Sequence, residues 1–295
     1  MRSWIRLCTR SCRPDMISNE IHYKVAWRSR SSFPGHHASH QRGGGMQFRN
    51  HVPLIDAPDP RRFDVRASLR DPFEQIQVRV YQQTSAIPVY VIADLSASMS
   101  FAGAHAKPDV LADFVACISY SAYKTGDTFG FIGCGERSAE PLLLPPTVNR
   151  AAGADLAQKL RARSLSARGS DGLLDAADFL GARRALVFLV SDFHFSFDLL
   201  RRVLATLAYH DVVPVVVWDP REYDDLPGFG LARVADPETT RSRLLFMRPR
   251  LKQRIREIFA ARRKALSDSF TQHGRVPLFV GDGFDPAEVT RYFFG

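Results

Sequence analysis

Between Val89 and Val217, short apolar runs alternate with stretches in which apolar residues recur at helical spacing. The runs Val89–Ala93, Thr128–Cys134, Ala185–Val190 and Val212–Trp218 are largely apolar at both odd and even positions. That is the pattern of strands covered on both faces. Between the first two, Val110, Leu111, Phe114, Val115, Ile118 and Ala122 share a helical face, with Pro108 at its start and Gly126 at its end. Ala151–Leu165, the run holding Leu173, Leu174, Ala177 and Leu180, and Leu199–Leu207 read as further helices. Strand and helix in alternation predict an α/β fold with a doubly wound, mostly parallel sheet. Pro214 suggests an edge strand or a bulge in the last run.

The flanks are less regular. Ile21–Trp27 and Gln75–Gln82 alternate as half-buried strands do, the second with Ile76, Val78 and Val80 on one side. Ser31–Gly45, Phe48–Pro60 and Pro141–Pro146 carry the Ser, Gly, His and Pro of loops. After Trp218, Glu222–Thr240 reads as irregular and Leu244–Phe246 as a short edge strand. Arg250–Phe270 is a long helix with Leu251, Ile255, Ile258, Phe259 and Leu266 on one stripe. Pro277–Val280 is a last strand, and Pro286–Phe294 a terminal helix or turn. The expected organisation is an unpatterned tail at 1–15, upstream of a simpler start at Met16, then a small β-rich subdomain at 16–87. The α/β domain with a helical extension follows at 88–295.

Composition narrows the function. A chain of 295 residues that is 45% hydrophobic can bury a substantial core. Its net charge of +9 favours acidic proteins, anionic surfaces or nucleic acid as partners. The 31 acidic residues are interspersed among 40 basic ones, without a nucleic-acid recognition motif, which leaves sequence-specific DNA binding with charge alone in its favour. Cys8, Cys12, Cys117 and Cys134 form no C-x-x-C pair, so neither zinc nor a disulfide framework is indicated and a reducing compartment fits. No apolar run has transmembrane length, and the expected location is the cytoplasm. His36, His37 and His40 lack a carboxylate or cysteine at ligand spacing and read as a surface loop. Neither G-x-G-x-x-G nor a P-loop occurs, so nucleotide binding has little support.

The chemistry gathers at strand ends. Val89–Ser100 reads VYVIADLSASMS: a buried strand, then Asp94, then hydroxyls at Ser96 and Ser98. A second polar loop, Ala167–Asp171, offers Ser170, and the strand Ala185–Val190 runs into Ser191 and Asp192. A doubly wound sheet brings such strand ends into one crevice. Asp94, Ser96, Ser98, Ser170 and Asp192 are an all-oxygen set that suits a hard divalent cation, Mg²⁺ or Mn²⁺. Two carboxylates converging with no lysine or arginine between them repel each other, and a cation relieves the repulsion.

Two basic groups are candidate partner contacts. Arg61, Arg62, Arg66 and Arg70 surround Asp64, as an anion contact or as a structural ion-pair network. Arg254, Arg263 and Lys264 lie on the polar face of the long helix, as a solvated or a docking face.

The set Asp94-x-Ser96-x-Ser98, with Ser170 and Asp192, resembles the metal-ion-dependent adhesion site of von Willebrand factor A domains. The resemblance implies that Ser96 and Ser98 bind the cation directly and that Asp94 and Asp192 act largely through water. Ser170 stands where that family usually has threonine, keeping the oxygen and losing the methyl group that fixes the rotamer. Arg61–Arg70, Gly126–Asp127 and Val190–Phe193 are similar to the bacterial family called domain of unknown function fifty-eight, encoded beside MoxR-type AAA+ ATPases. Thr271–Gly274, Val276–Leu278 and Phe284–Pro286 look like its methanol-oxidation accessory, MxaS-like branch. This implies a non-enzymatic accessory factor that works with the ATPase in maturation or metal insertion of a client enzyme, and that binds a partner carboxylate through the cation. A metal-dependent hydrolase using Asp94, Asp192 and His194 is the alternative, and a nucleic-acid binder using the basic helix the third reading.

Overall fold

The computed structural model describes residues 20–27, 34–223, 227–235, 242–281 and 283–295. The expected tail at 1–15 lies outside them. The chain runs β1 (Pro34–Pro53), α1 (Val65–Ser68), β2 (Gln77–Ser85), β3 (Pro88–Asp94), α2 (Lys107–Thr125), β4 (Thr128–Cys134), β5 (Leu142–Thr147) and α3 (Ala152–Ala162). It continues with β6 (Leu186–Ser191), α4 (Phe197–Thr206), β7 (Asp211–Val217), β8 (Gly230–Ala235), β9 (Ser242–Met247), α5 (Pro249–Gln272), β10 (Leu278–Val280) and α6 (Pro286–Phe294).

Six strands form the central sheet in the order β10-β7-β6-β3-β4-β5. All neighbours are parallel except β4 and β5. The fold is therefore α/β with a mixed, mostly parallel sheet, preceded by a small antiparallel unit, β1 with β2. β3 lies between β4 and β6 and every one of its residues is buried. Its alternate side chains serve two cores. Val89, Val91 and Ala93 pack with residues of α2, α3 and α6, while Tyr90 and Ile92 pack with α4, the C-terminal half of α5 and the turns after residue 170. This double cover explains the continuous apolar runs in the sequence.

Several expectations are corrected. Ile21–Trp27 forms no strand. It lies along the domain instead and is held by side chains: Ile21 N donates to Ser121 Oγ (2.8 Å), His22 N to Thr290 Oγ1 (3.1 Å) and Tyr23 Oη to Asp127 Oδ2 (2.6 Å). Ser31–Gly45 and Phe48–Pro60, read as loops, contribute most of β1. The ladder to β2 is made by backbone groups that composition does not reveal, and its register shifts between Arg42 and Gln47, across Gly43–Gly45. His37 is buried with Nε2 2.9 Å from Asp127 Oδ2, whereas His36 is exposed.

Pro141–Pro146 is mostly β5, whose prolines are admissible because it is the sheet's edge. Pro214, conversely, lies in an interior strand. The β10 ladder begins only at Val215, so Pro214 has a paired strand on one side alone. The helical run after Ser170 is two 3₁₀ turns, Asp171–Leu174 and Ala176–Phe179. Glu222–Thr240 contains β8, and β9 pairs with it in a separate hairpin instead of edging the main sheet. On α5, Leu266 and Phe270 are buried but Ile258 is exposed.

Asp127 fixes the N-terminal segments. Gly126, at φ 72°, ends α2 in the left-handed region that glycine adopts without a Cβ penalty. The next residue, Asp127, receives Tyr23 Oη, Thr125 Oγ1 (2.8 Å) and Ile87 N (2.8 Å). Burial, with the Asp127 charge beside it, pushes the Tyr23 phenol well above its ordinary range.

Phe188 of β6 is fully buried and meets Phe114 and Phe293 edge-on, with centroids 5.4 and 6.1 Å apart. Phe188→Ala is expected to cost about 3–5 kcal/mol, as cavity-forming aromatic truncations do. Urea unfolding monitored by circular dichroism measures it, and a loss below about 1 kcal/mol would contradict this packing.

Candidate metal centre

The carboxyl ends of β3 and β6 lie side by side because the two strands pair in parallel from Val89↔Leu186 to Ala93↔Val190. Asp94 therefore emerges next to Ser191 and Asp192. The first loop is pinned to its neighbours by backbone: Leu95 N donates to Cys134 O (2.7 Å) and Ala97 N to Ala167 O (2.8 Å). The second bond carries the Ala167–Asp171 loop alongside Ser96, where Ser96 and Ala167 form a parallel bridge.

Asp94 has no exposed surface. Its Oδ1 accepts Ser96 N (2.9 Å), and its Oδ2 accepts both Ser170 Oγ and Ser191 Oγ, each at 2.8 Å. Ser96 Oγ and Ser98 Oγ are 3.0 Å apart. Four of the five expected site residues thus share one network, and Asp192 adjoins it through Ser191 and through Lys107. Burial, and then the charge of Asp192, push the Asp94 carboxyl up to about 6 in spite of those hydrogen bonds. Its hydrogen-bond donors among the described residues are all neutral.

Asp192 differs. Its Oδ2 is 3.0 Å from Lys107 Nζ and its Oδ1 accepts His194 N (3.2 Å). Burial raises its pKa, but Lys107 foremost, then His194, outweigh burial and hold it below the ordinary value. The expectation that no lysine or arginine lies between the carboxylates is corrected here: Lys107, from the first turn of α2, is 1% exposed and bonded to Asp192. Its ammonium also pairs with Glu222 and approaches Ser98 O (3.4 Å).

The loop after Asp192 is tightly built. Phe193 is buried at φ 52°, a conformation bulky residues seldom adopt, and its N–H donates to Ser191 Oγ (2.9 Å). Trp218 Nε1 donates to Asp192 O (2.6 Å), and Arg262 Nη2 donates to the carbonyls of Phe193 (2.6 Å) and Phe195. The His194 ring stacks on Trp218 with centroids 5.6 Å apart, and its Nε2 lies 3.5 Å from Glu222 Oε2.

Sequence reasoning missed Ser191, Lys107, Glu222 and Arg262. A lysine in a helix's first turn opposes the helix dipole and was a readable signal that a carboxylate awaited it. Glu222 and Arg262 had no such signal.

The basic candidates are not part of this cluster. Arg61, Arg66 and Arg70 are exposed, and Arg62 pairs with Asp59 (3.0 Å) and lies over Tyr81. Asp64 binds Arg79 Nε (2.6 Å) and His51 (3.1 Å) rather than those arginines, and it caps α1 through Ala67 N (3.1 Å). The hydrogen bond from Arg79, with those from Ala67 and His51, holds its carboxyl far below the ordinary range. On α5, Arg254 is 3.8 Å from Glu257, Arg263 lies over the Phe279 ring (4.0 Å) beside a cavity of about 330 Å³, and Lys264 is exposed.

Among the described residues no three His, Cys, Asp or Glu side chains are grouped to hold a metal. The donors at Asp94 are instead mostly hydroxyls, which suits a hard dication and not zinc. Asp94, Asp192 and Glu222 against Lys107 and Arg262 leave the site with an excess of negative charge. By donor type, the residues fit such an ion.

Sheet order and strand-end loops define an α/β domain with a mixed, mostly parallel sheet. Residues 58–268 match the family described as "Protein of unknown function DUF58", and the chain belongs to that family. It is 36% identical over 101 residues to an "Uncharacterized protein in moxR 3'region" of Paracoccus denitrificans, covering 34% of this chain and 96% of that protein. Among solved structures it is similar to BatB from Bacteroides thetaiotaomicron, at 13% identity and a TM-score of 0.45, covering 69% of this chain and 94% of that one. It is also similar to the SpRpn10 VWA domain, at 12% identity and a TM-score of 0.33, covering 45% and 74% respectively. No helix among the described residues is long and apolar enough to cross a membrane.

The raised Asp94 pKa makes stability depend on pH. With a folded value of about 6 against an ordinary 3.8, the folded chain retains a proton that the unfolded chain releases, so stability present below about pH 4 falls as pH rises through 6. In chelator, Asp94→Asn should remove this penalty, on the order of 3 kcal/mol for two pKa units. Its melting temperature should exceed that of the parent chain increasingly between pH 4 and 7, as thermal denaturation across that range would show. A constant difference would refute the buried, uncompensated carboxylate.

Proposed function

We propose that the chain is a non-enzymatic, metal-dependent protein-binding accessory factor. In this reading Asp94, Ser96, Ser98, Ser170 and Asp192 hold Mg²⁺ or Mn²⁺ at the sheet edge. The cation, when bound, supplies a Lewis-acidic position for a carboxylate of a partner protein. The observation that carries the reading is Asp94: a fully buried carboxylate that accepts hydroxyls from the Ser170 loop and from the end of β6, with no lysine, arginine or histidine among the described residues bonded to it. The chain's own residues orient the hydroxyls, through the backbone bonds that tie residues 95 and 97 to Cys134 and Ala167. They also exclude water from Asp94.

The partner proposed is a MoxR-type AAA+ ATPase, acting with this chain in the cytoplasm on maturation or metal insertion of a client enzyme. Family membership and the relative from a moxR 3' region support that pairing. The hydrolase alternative is less favoured because His194, its base, has its ring against Trp218 and its Nε2 toward Glu222.

Titration calorimetry should show one Mg²⁺ or Mn²⁺ bound by the parent chain and none by Asp94→Ala. Purified MoxR-type ATPase should be captured in Mn²⁺, with at least a tenfold loss on adding chelator or making that substitution. Capture unchanged by both would rule out the metal-dependent mechanism.

A further inference from the structure

Beside the Asp94 network lies a second charged group that the proposed binding step does not use. Lys107 Nζ is buried between Asp192 Oδ2 (3.0 Å) and Glu222 Oε1. Glu222 follows β7 in the short turn Pro220–Glu222, and its side chain is 10% exposed. Its other oxygen, Oε2, is buried and accepts no hydrogen bond among the described residues, with His194 Nε2 at 3.5 Å. Glu222 thus has unused capacity for positive charge, which a buried carboxylate keeps only at a cost. Asp192, by contrast, has both oxygens engaged, one by Lys107 and one by His194 N.

We propose that Lys107 and Glu222 form an internal charge gate on the candidate metal centre: the ammonium occupies Asp192 until a divalent cation competes for that carboxylate, and Glu222 is the acceptor that retains the displaced ammonium. This rests on the metal reading above and names how the site is regulated. The physical basis is competition for one carboxylate. An ammonium held 3.0 Å from Asp192 neutralises part of the charge a dication would use, so it weakens cation binding. Glu222 offsets that by sharing the ammonium and by sparing the chain an unpaired buried lysine when Asp192 turns to the ion. The gate sets an affinity threshold, and a partner's carboxylate, adding a further ligand, lowers that threshold.

The two residues act in opposite directions, and this makes the gate testable apart from the metal site. Mn²⁺ titration calorimetry would compare the full-length parent chain with Lys107→Met, Glu222→Gln and Asp94→Ala, each checked for folding by circular dichroism. Lys107→Met should bind Mn²⁺ at least tenfold more tightly than the parent. Glu222→Gln, nearly isosteric, should bind about tenfold more weakly, because Lys107 then has Asp192 as its one carboxylate. The melting temperature of Lys107→Met should rise more with Mn²⁺ than that of the parent. If Asp94→Ala abolishes binding while the other two match the parent, the gate is overturned and the metal site stands. Weaker binding by Lys107→Met also overturns it, since lysine would then be supporting the site. Should Lys107→Met not fold, an unchanged affinity in Glu222→Gln is enough to refute the gate. No Mn²⁺ binding by any of the four overturns the metal reading and the gate together.

Discussion

A carboxylate with no solvent contact terminates the central strand, and the surrounding structure is arranged to keep it there. Burying an ion costs several kcal/mol unless hydrogen bonds or a counter-charge offset it. At Asp94 the offset comes from Ser96 N, Ser170 Oγ and Ser191 Oγ, drawn from two loops and the end of β6. That convergence depends on β3 and β6 pairing in parallel, so that their carboxyl ends face one way, and on the bond from Ala97 N to Ala167 O that brings the Ser170 loop beside them. It depends equally on both faces of the sheet being covered, since the two cores seal Asp94 from below.

Two buried acids a few residues apart in space are treated differently. Asp94 has only neutral donors and is driven up to about 6, while Asp192 has an ammonium and is driven down. The asymmetry divides the labour within the site. Asp94 is the place where positive charge is missing, and Asp192 is the place where it is already supplied. The Lys107 and Asp192 side chains are each 1% exposed and that of Glu222 is 10% exposed, so the Lys107 ion pairs lie out of water, where they would be worth little.

The outer parts of the molecule serve the sheet without sharing its hydrogen bonding. The segment Ile21–Trp27 is anchored to α2 and α6 and to Asp127 by side-chain bonds. α5 reaches the site by one guanidinium, Arg262, on the carbonyls of the loop after Asp192. Arg254 and Lys264 are exposed, and Arg263 lies over Phe279. The basic position on α5 beside the site is thus not among those that the sequence reading singled out.

The sequence alone determined the buried strands, the α2 boundaries at Pro108 and Gly126 to within a residue, and four hydroxyl or carboxyl positions that the fold does bring together. These follow from local rules: apolar runs, cap chemistry and strand-end residues act within a few positions of themselves. Strands β1 and β5 were not legible, because Gly-, His- and Pro-rich segments become strands through backbone pairing with a partner, which leaves no mark on side-chain pattern. The charge of the site was not legible either. Lys107 meets Asp192 across 85 positions of sequence, and Glu222 joins them from beyond β7. Electrostatic energy depends on distance through space and on burial, and only the tertiary structure fixes those two quantities.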